Sequence, residues 1–441
     1  MNGTIRAIAR AVRDRGGRAL LVGGCVRDGL MGITSTDIDC EVHGIPPEGL
    51  RALLAPFGEI DGSGAGYGIF SLRGQGIDIA LPRTERRTGP SHRDFAVAVD
   101  PDLPPERAAA RRDFTVNAIM RDALTGEYVD PFGGIEDLRR GVLRAVPGEG
   151  FEDDALRVLR GAQFAARFAL SPDEGTLARM RRMPVAHLSG ARVLAELKKA
   201  LLQAAQPQAF FAVLDQAGAL APWFAELAAL RGAAQSPVYH PEGDAWAHTM
   251  LVLSEAAAAR GRARDPLAFM LAALCHDLGK AIPEEGGAGH DVTGVPLVRA
   301  MLSRLGAPEK AIRYAEDMCA LHMRVHTCYY TGADTAKTNL LLDESVCPEE
   351  LVLLALCDAR GTGKPRGAAD GEERFLLERL PAYRHAAAQQ MPDAATLASA
   401  GVAPGPGMGR AIQAARQWVL RGETPARAAL LAAQAEREER I

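Results

Sequence analysis

Two aspartates one residue apart, Asp37 and Asp39 in Thr36-Asp37-Ile38-Asp39-Cys40-Glu41-Val42, carry the most pointed chemical signal in the chain. The stretch alternates polar and apolar residues, as a half-buried strand does. On a strand, positions i and i+2 share a face, ~6.6 Å apart along the chain. Two carboxylates on one face can hold a pair of Mg²⁺ ions ~3.5–4 Å apart, the arrangement used for in-line phosphoryl or nucleotidyl transfer. Just upstream, Ala19–Val22 reads as a short buried strand, then come Gly23-Gly24 and a helical stretch over Val26–Met31. The glycines let the backbone turn tightly and approach a ligand. Free N–H groups and the positive dipole at a helix start suit phosphate, and Arg27 can add charge-assisted hydrogen bonds. Singly, a Gly-Gly pair is usually a turn and an Asp-x-Asp pair a solvated edge. The ordered set of strand, Gly-Gly, helix and Asp-x-Asp strand is far more specific.

With Gly-Gly-x-Val-Arg-Asp leading into Asp-x-Asp, residues 19–42 resemble the nucleotidyltransferases of the DNA polymerase beta superfamily. Within it they are similar to the class II group, the CCA-adding tRNA nucleotidyltransferases and bacterial poly(A) polymerases. The resemblance implies an α+β fold: a small mixed-sheet head over 1–145, then an all-helical neck (146–225), an HD body (226–390) and a tail (391–441). It also implies Mg²⁺ on Asp37 and Asp39, a triphosphate against Gly23, Gly24 and Arg27, and CTP, ATP and the tRNA 3' end with its acceptor stem as partners.

Ile69–Leu72 and Ile77–Leu81 are further strand candidates. Asp78 lies on the second, either as a third catalytic carboxylate or as a strand residue facing water. Residues 82–106 are rich in Pro and Gly and long for a connection, which suggests a functional lid. The class II enzymes carry a flexible loop near here that takes part in switching from C to A addition, and Arg83-Thr-Glu-Arg-Arg is similar to its start. Arg111-Arg112-Asp113-Phe-Thr-Val-Asn117-Ala reads alone as a helix-start charge pair. By the resemblance, Arg112 contacts the triphosphate while Asp113 and Asn117 help to read the ribose.

Leu156, Leu159, Phe164 and Phe168 recur at helical intervals in a run that begins at Phe151. Asp154 and Arg157, three apart, would share a helix face. An Arg offers donors and an Asp acceptors, so one Asp–Arg edge matches cytosine or adenine and mismatches guanine and uracil. Class II enzymes carry Glu-Asp-x-x-Arg here; in this chain Asp153 replaces the Glu. Arg160 is expected as a second phosphate or base contact. Residues 138–200 hold 12 Lys/Arg against 7 Asp/Glu. Clusters such as Arg179, Arg181 and Arg182 are either a solvated face or a track for tRNA phosphates.

Six of the ten histidines fall between residues 240 and 326. Imidazole with carboxylate suits a divalent transition metal. His248, then His276-Asp277-Leu-Gly-Lys280, then a distant Asp358 resembles the HD phosphohydrolase domain. That likeness makes His248, His276, Asp277 and Asp358 the core ligands, with His290 and His322 where two-metal versions supply more. Some bacterial CCA-adding enzymes with such a domain have phosphatase and 2',3'-cyclic phosphodiesterase activity, and others keep the fold with little chemistry, so the resemblance implies either. Gly361-Thr-Gly-Lys-Pro begins a polar loop whose spacing is wrong for a Walker A motif.

Net charge is −4 over 441 residues, so RNA affinity must come from a local patch. No apolar run approaches the ~20 residues of a membrane span. The first residues lack the apolar core of a signal peptide. The seven cysteines show no Cys-x-x-Cys spacing, which points to reduced thiols and a cytoplasmic location. The expected reaction is stepwise transfer of CMP, CMP and AMP to tRNA. The alternatives are a poly(A) or A-adding enzyme on the same scaffold, or mainly a phosphohydrolase.

Overall fold

The computed structural model describes residues 3–35, 37–61, 64, 66, 68–87, 95–282, 289–365 and 367–438. Backbone contacts divide the chain into two units, residues 1–188 with 209–219, and 189–208 with 220–441. The segment expected as a neck, 146–225, is shared between them.

The first unit runs α1 (Gly3–Arg13), β1 (Arg18–Val22), α2 (Gly24–Leu30), β2 (Ile38–His43), α3 (Pro47–Leu54), β3 (Ile60–Asp61), β4 (Ile69–Leu72), β5 (Ile77–Ala80), β6 (Arg83–Arg87), β7 (Phe95–Val99) and α4 (Pro105–Ala109). It continues through β8 (Met120–Asp122), β9 (Tyr128–Val129), α5 (Gly134–Arg140), β10 (Val142–Leu143), α6 (Leu156–Phe168), β11 (Ser171–Pro172) and α7 (Glu174–Met180). The main sheet has the order β3-β4-β5-β2-β1-β8-β9. It is mixed, because β2 lies antiparallel to β1 and parallel to β5. Ile5, Ile8 and Val12 of α1 and Leu50 and Leu54 of α3 form one core with Cys40, Val42, Ile77 and Ile79. Strand alternation then places Asp39, Glu41 and His43 on the opposite face.

Two sequence expectations need correction. Residues 82–106 are not one irregular connection. β6 and β7 pair antiparallel from Arg83↔Val99 to Arg87↔Phe95, and α4 starts at Pro105. Phe95–Val99 is β-branched and aromatic at alternate positions, which suits a ladder; the loop tip, 88–94, lies outside the described residues. The helix expected from Phe151 begins instead at Leu156, after a 3₁₀ turn over Glu149–Asp153. Asp154 is extended, and its carboxylate accepts the Leu156 N–H at 3.0 Å. A short acidic side chain competes for such backbone donors, so Asp154 marks the helix start rather than sharing a helical face with Arg157.

The second unit is helical: α8 (Gly190–Gln203), α10 (Ala221–Ala228), α11 (Ala245–Ala259), α12 (Pro266–Cys275), α13 (His290–Leu305), α14 (Glu309–Tyr330), α15 (Thr335–Glu344), α16 (Pro348–Arg360), α17 (Asp370–Ala387), α18 (Ala394–Ser399), α19 (Gly407–Leu420) and α20 (Pro425–Glu438). The intervening α9 (Gln208–Gln216) belongs, but for its first residue, to the first unit. Aspartates set several starts: Asp244, Asp265 and Asp334 each accept a first-turn N–H. From Ala268 to Cys275, α12 is buried on every side, making it the central post on which His276 and Asp277 stand. No described helix is long and apolar enough to cross a membrane.

Candidate active site and metal centre

In the first unit, parallel pairing of β2 with β5 sets Asp39 directly opposite Asp78. Asp37 stands just before the ladder, whose first bond is from the Ile38 N–H to the Gly76 carbonyl at 2.8 Å. Partial burial, with Asp78 and Asp37 close by, raises the Asp39 carboxyl above its ordinary value, and Arg112 opposes the rise. Three carboxylates crowded around one position, with one guanidinium against them, form a site that favours added cations.

Gly23 makes the turn between β1 and α2 with φ 69° and ψ −136°, a region open to glycine. A Cβ there would lie 3.0 Å from Arg112 Nη1 and 3.6 Å from Asp39 Oδ2. The missing side chain therefore lets Arg112 stand beside the carboxylates. Gly23→Ala is expected to add ~1–3 kcal/mol of backbone strain and to displace Arg112. The KM for the nucleoside triphosphate that the family resemblance implies should rise about tenfold in initial-rate assays.

Residues 111–113 join this site to α6. Arg112 faces Asp39, Arg157 donates to the Arg111 carbonyl at 2.8 Å, and Arg160 pairs with Asp113 at 2.6 Å. Arg157 also donates to the Gly150 carbonyl. Asp113 accepts from Asn117 Nδ2 and from the Phe114 N–H, both at 2.8 Å. Arg27 is buried: it donates to Asn117 Oδ1 and to Asp28, and its guanidinium lies 4.2 Å from the Phe168 ring centroid and 5.1 Å from that of Phe164. Arg27, Asn117 and Asp113 thus form one internal network beneath the site. Arg179 is held internally as well, by Glu152 and the carbonyls of Val146 and Gly148.

Sequence reasoning overlooked the next rung of β2. Glu41 is buried between His43 at 3.2 Å and Arg111 at 3.3 Å. Burial would raise its carboxyl, but His43, Arg112 and Arg111 together hold it below the ordinary value. The alternation that found Asp37 and Asp39 extends to Glu41, so the signal was present.

Burial alone would also raise Asp113; Arg160 and the Asn117 amide outweigh it and hold the carboxyl below its ordinary range. A depressed folded pKa contributes stability above the unfolded value of ~3.9, lost as the pH falls through the folded value. Asp113→Asn is therefore expected to flatten the acid limb of the Tm–pH curve below about pH 4.5.

In the second unit the histidines converge. His248, His276 and Asp358 offer ligand atoms all within 4.8 Å of one another, and so do Asp277, His290 and His322. Asp277 joins the two sets. Its Oδ2 lies 3.5 Å from His248 Nε2 and 3.3 Å from His276 Nε2; its Oδ1 lies 3.1 Å from His290 Nε2 and 3.5 Å from His322 Nε2. Helix-carbonyl acceptors set two of the tautomers: His276 Nδ1 faces the Ala273 carbonyl at 2.9 Å, and His322 Nδ1 the Cys319 carbonyl at 2.7 Å. An N–H at Nδ1 leaves the Nε2 lone pair for the centre.

The cluster fits metal ions. The Nε2 atoms of His248, His276 and His322 and Oδ1 of Asp277 are buried without a hydrogen bond of acceptable geometry. Orphaned groups of this kind cost ~1–3 kcal/mol each unless a ligand answers them. Burial opposes ionisation of Asp277 and Asp358, yet the neighbouring histidines, with Lys280 at Asp277, hold both well below the carboxylate range.

His326 and Glu372 complete the surroundings. His326 Nε2 meets Asp358 Oδ2 at 2.8 Å, and its Nδ1 meets Glu372 Oε1 at 2.6 Å. Burial disfavours the imidazolium, but the two carboxylates lift His326 to about 10. It lies one helical turn beyond His322 on α14, a spacing that could have flagged it. Glu372, on α17, had no such signal. A cavity of about 1290 Å³ reaches the centre, lined among others by Arg231, His240, Lys280, His290, His326 and Lys364.

The first unit is of the nucleotidyltransferase class: the Poly A polymerase head domain family matches residues 19–144. The HD domain family matches residues 246–361; both families are metal-dependent. A relative from Laribacter hongkongensis, a Multifunctional CCA protein, is 38% identical over 403 residues, spanning 86% of this chain and 95% of its own. Another Multifunctional CCA protein, from Xanthomonas campestris pv. campestris, is 37% identical over 412 residues, spanning 90% and 96%. The chain belongs to the multifunctional CCA protein family.

Among solved structures, the fold is similar to the Bacillus stearothermophilus CCA-adding enzyme in complex with CTP, with TM-score 0.68, 22% identity and 100% of each chain covered. It is also similar to the Thermotoga maritima CCA-adding enzyme complexed with tRNA, with TM-score 0.63, 18% identity, and 98% and 94% of the chains covered.

Proposed function

We propose that this chain builds the CCA end of tRNA from CTP and ATP, releasing pyrophosphate, in the cytoplasm. The observation that carries the reading is the Asp39 cluster: Asp37 and Asp78 crowd it, and Arg112 stands over the Gly23 turn. In the proposal Asp37, Asp39 and Asp78 hold Mg²⁺, which when bound lowers the pKa of the RNA 3'-hydroxyl and neutralises the leaving pyrophosphate. Arg112 binds the triphosphate beside Gly23 and Gly24. Arg27, Asp113 and Asn117 hold the floor of the site, with Arg160 anchoring Asp113 to α6.

Base selection is assigned to Asp154 and Arg157, whose acceptor and donor edges suit cytosine and adenine. Arg157 already donates to two backbone carbonyls, so base pairing with it requires exchange of those bonds. The test is incorporation into tRNA lacking its CCA end. CTP alone should extend the RNA by C-C, and CTP with ATP by C-C-A. No incorporation from CTP would assign the chain to an A-only reaction.

For the second unit we propose a centre for two divalent transition-metal ions on His248, His276, Asp358, His290 and His322, with Asp277 between the sets. Bound ions would activate water for phosphoester hydrolysis. Lys280, His240 and Lys364 in the cavity suit an anionic substrate.

A further inference from the structure

Glu242 lies in the turn before α11, outside every ligand set assigned above except through its contact with His248. Its side chain is 4% exposed and makes three hydrogen bonds. Oε1 accepts from His248 Nδ1 at 3.0 Å and from His240 Nδ1 at 2.8 Å, and Oε2 accepts the Gly363 N–H at 2.9 Å. His276 and His322 take their Nδ1 acceptors from a carbonyl three residues earlier in their own segments. His248 takes a carboxylate from a separate turn. A carboxylate makes the opposite ring nitrogen a better donor than a carbonyl does.

The third bond reaches the segment that follows α16, the helix carrying Asp358. That segment sits hard against its neighbours. A Cβ at Gly361 would lie 2.7 Å from the Val252 nitrogen, and one at Gly363 3.0 Å from the Glu242 nitrogen. Glycine at both positions lets the strand of loop close onto α11 and the Glu242 turn. Thr362 and Lys364, between and beyond them, line the cavity that reaches the histidines.

We propose that Glu242 is a positioning residue that serves both parts of this site. It fixes His248 with Nε2 toward the metal, and it fastens the Gly361–Lys364 loop so that Lys364 faces an anionic substrate. This inference rests on the reading of the second unit as a metal centre.

The test is titration of the metal-free full-length protein with Co²⁺, followed by calorimetry and by the visible absorption of the bound ion. Glu242→Gln, which keeps the shape and removes the charge, is expected to weaken Co²⁺ binding about 10–100-fold and to alter the absorption band. Glu242→Asp, which keeps the charge, should recover part of the affinity. It also gives a second measurement if the Gln variant fails to fold. With bis(p-nitrophenyl) phosphate at saturating metal, the Gln variant should show a raised KM through the loosened Lys364 loop. Parental Co²⁺ affinity and spectrum in Glu242→Gln, with binding lost in His248→Ala, would overturn the proposal and leave the metal centre standing. Parental affinity in both variants would overturn the metal centre and the proposal with it.

Discussion

Asp39→Ala is expected to lower CMP incorporation into tRNA lacking CCA by at least about a thousandfold, ~4 kcal/mol on the barrier. The expectation follows from position. Asp39 lies opposite Asp78 across the β2–β5 pair and within reach of Arg112, with Asp37 two residues before it on the chain. In the proposed reaction a carboxylate in that place would act, through Mg²⁺, on the attacking hydroxyl and the departing pyrophosphate at once, so its loss would be felt in the transition state more than in nucleotide binding. The effect should therefore appear in kcat, with a modest change in KM. Asp78→Ala separates the two meanings that the sequence left open for that residue. A loss comparable with that of Asp39→Ala makes it a third metal carboxylate, and near-parental incorporation makes it a solvent-facing strand residue. Near-parental incorporation in Asp39→Ala itself would remove the basis of the proposed reaction.

Asp277→Asn should be as severe for the second unit. Among the described residues, Asp277 is the one side chain in contact with all four histidines His248, His276, His290 and His322. Lys280 adds a 2.6 Å bond to Oδ2. Replacing the charge with an amide leaves that cation and the imidazoles without their shared anion. Metal content, measured by elemental analysis after loading with Mn²⁺ or Co²⁺, is expected to fall from about two ions per chain to below one. Hydrolysis of phosphoester probes should fall by about a thousandfold or more. Removing one member of a buried charge cluster also costs ~3–5 kcal/mol, so urea unfolding of the metal-free variant should shift to lower midpoint. Full metal content in Asp277→Asn would exclude the bridged arrangement.

A binding contribution from tertiary context explains why several arginines fare differently from their neighbours. Arg112 is kept beside the acidic site because Gly23 has no side chain to exclude it. Arg27, expected from the sequence beside the triphosphate, instead lies against the Phe164 and Phe168 rings and donates to Asn117. Both residues are basic, and it is Arg27, three residues after Gly24, that lies nearer the turn in the sequence. Contact with two rings of α6 separates the buried Arg27 guanidinium from that of Arg112, which the proposal gives to the triphosphate.

The amino-acid sequence by itself determined the short-range geometry: the strand–Gly–Gly–helix turn, the alternation of β2 that carries Asp39 and Glu41, the His276-Asp277 step and the family to which the chain belongs. Those features depend on backbone periods and on neighbours within a few residues, so residue order alone expresses them. The tertiary structure decided the rest. It set Asp78 opposite Asp39 through a parallel pairing, ended the Arg157 side chain on two carbonyls, and placed Asp154 before its helix. It also brought His326 to Glu372 across 46 positions and Glu242 to Gly363 across 121. Each of these depends on which distant segment packs alongside, and burial energy, which fixes that choice, is non-directional and is shared among many residues rather than written in any one spacing.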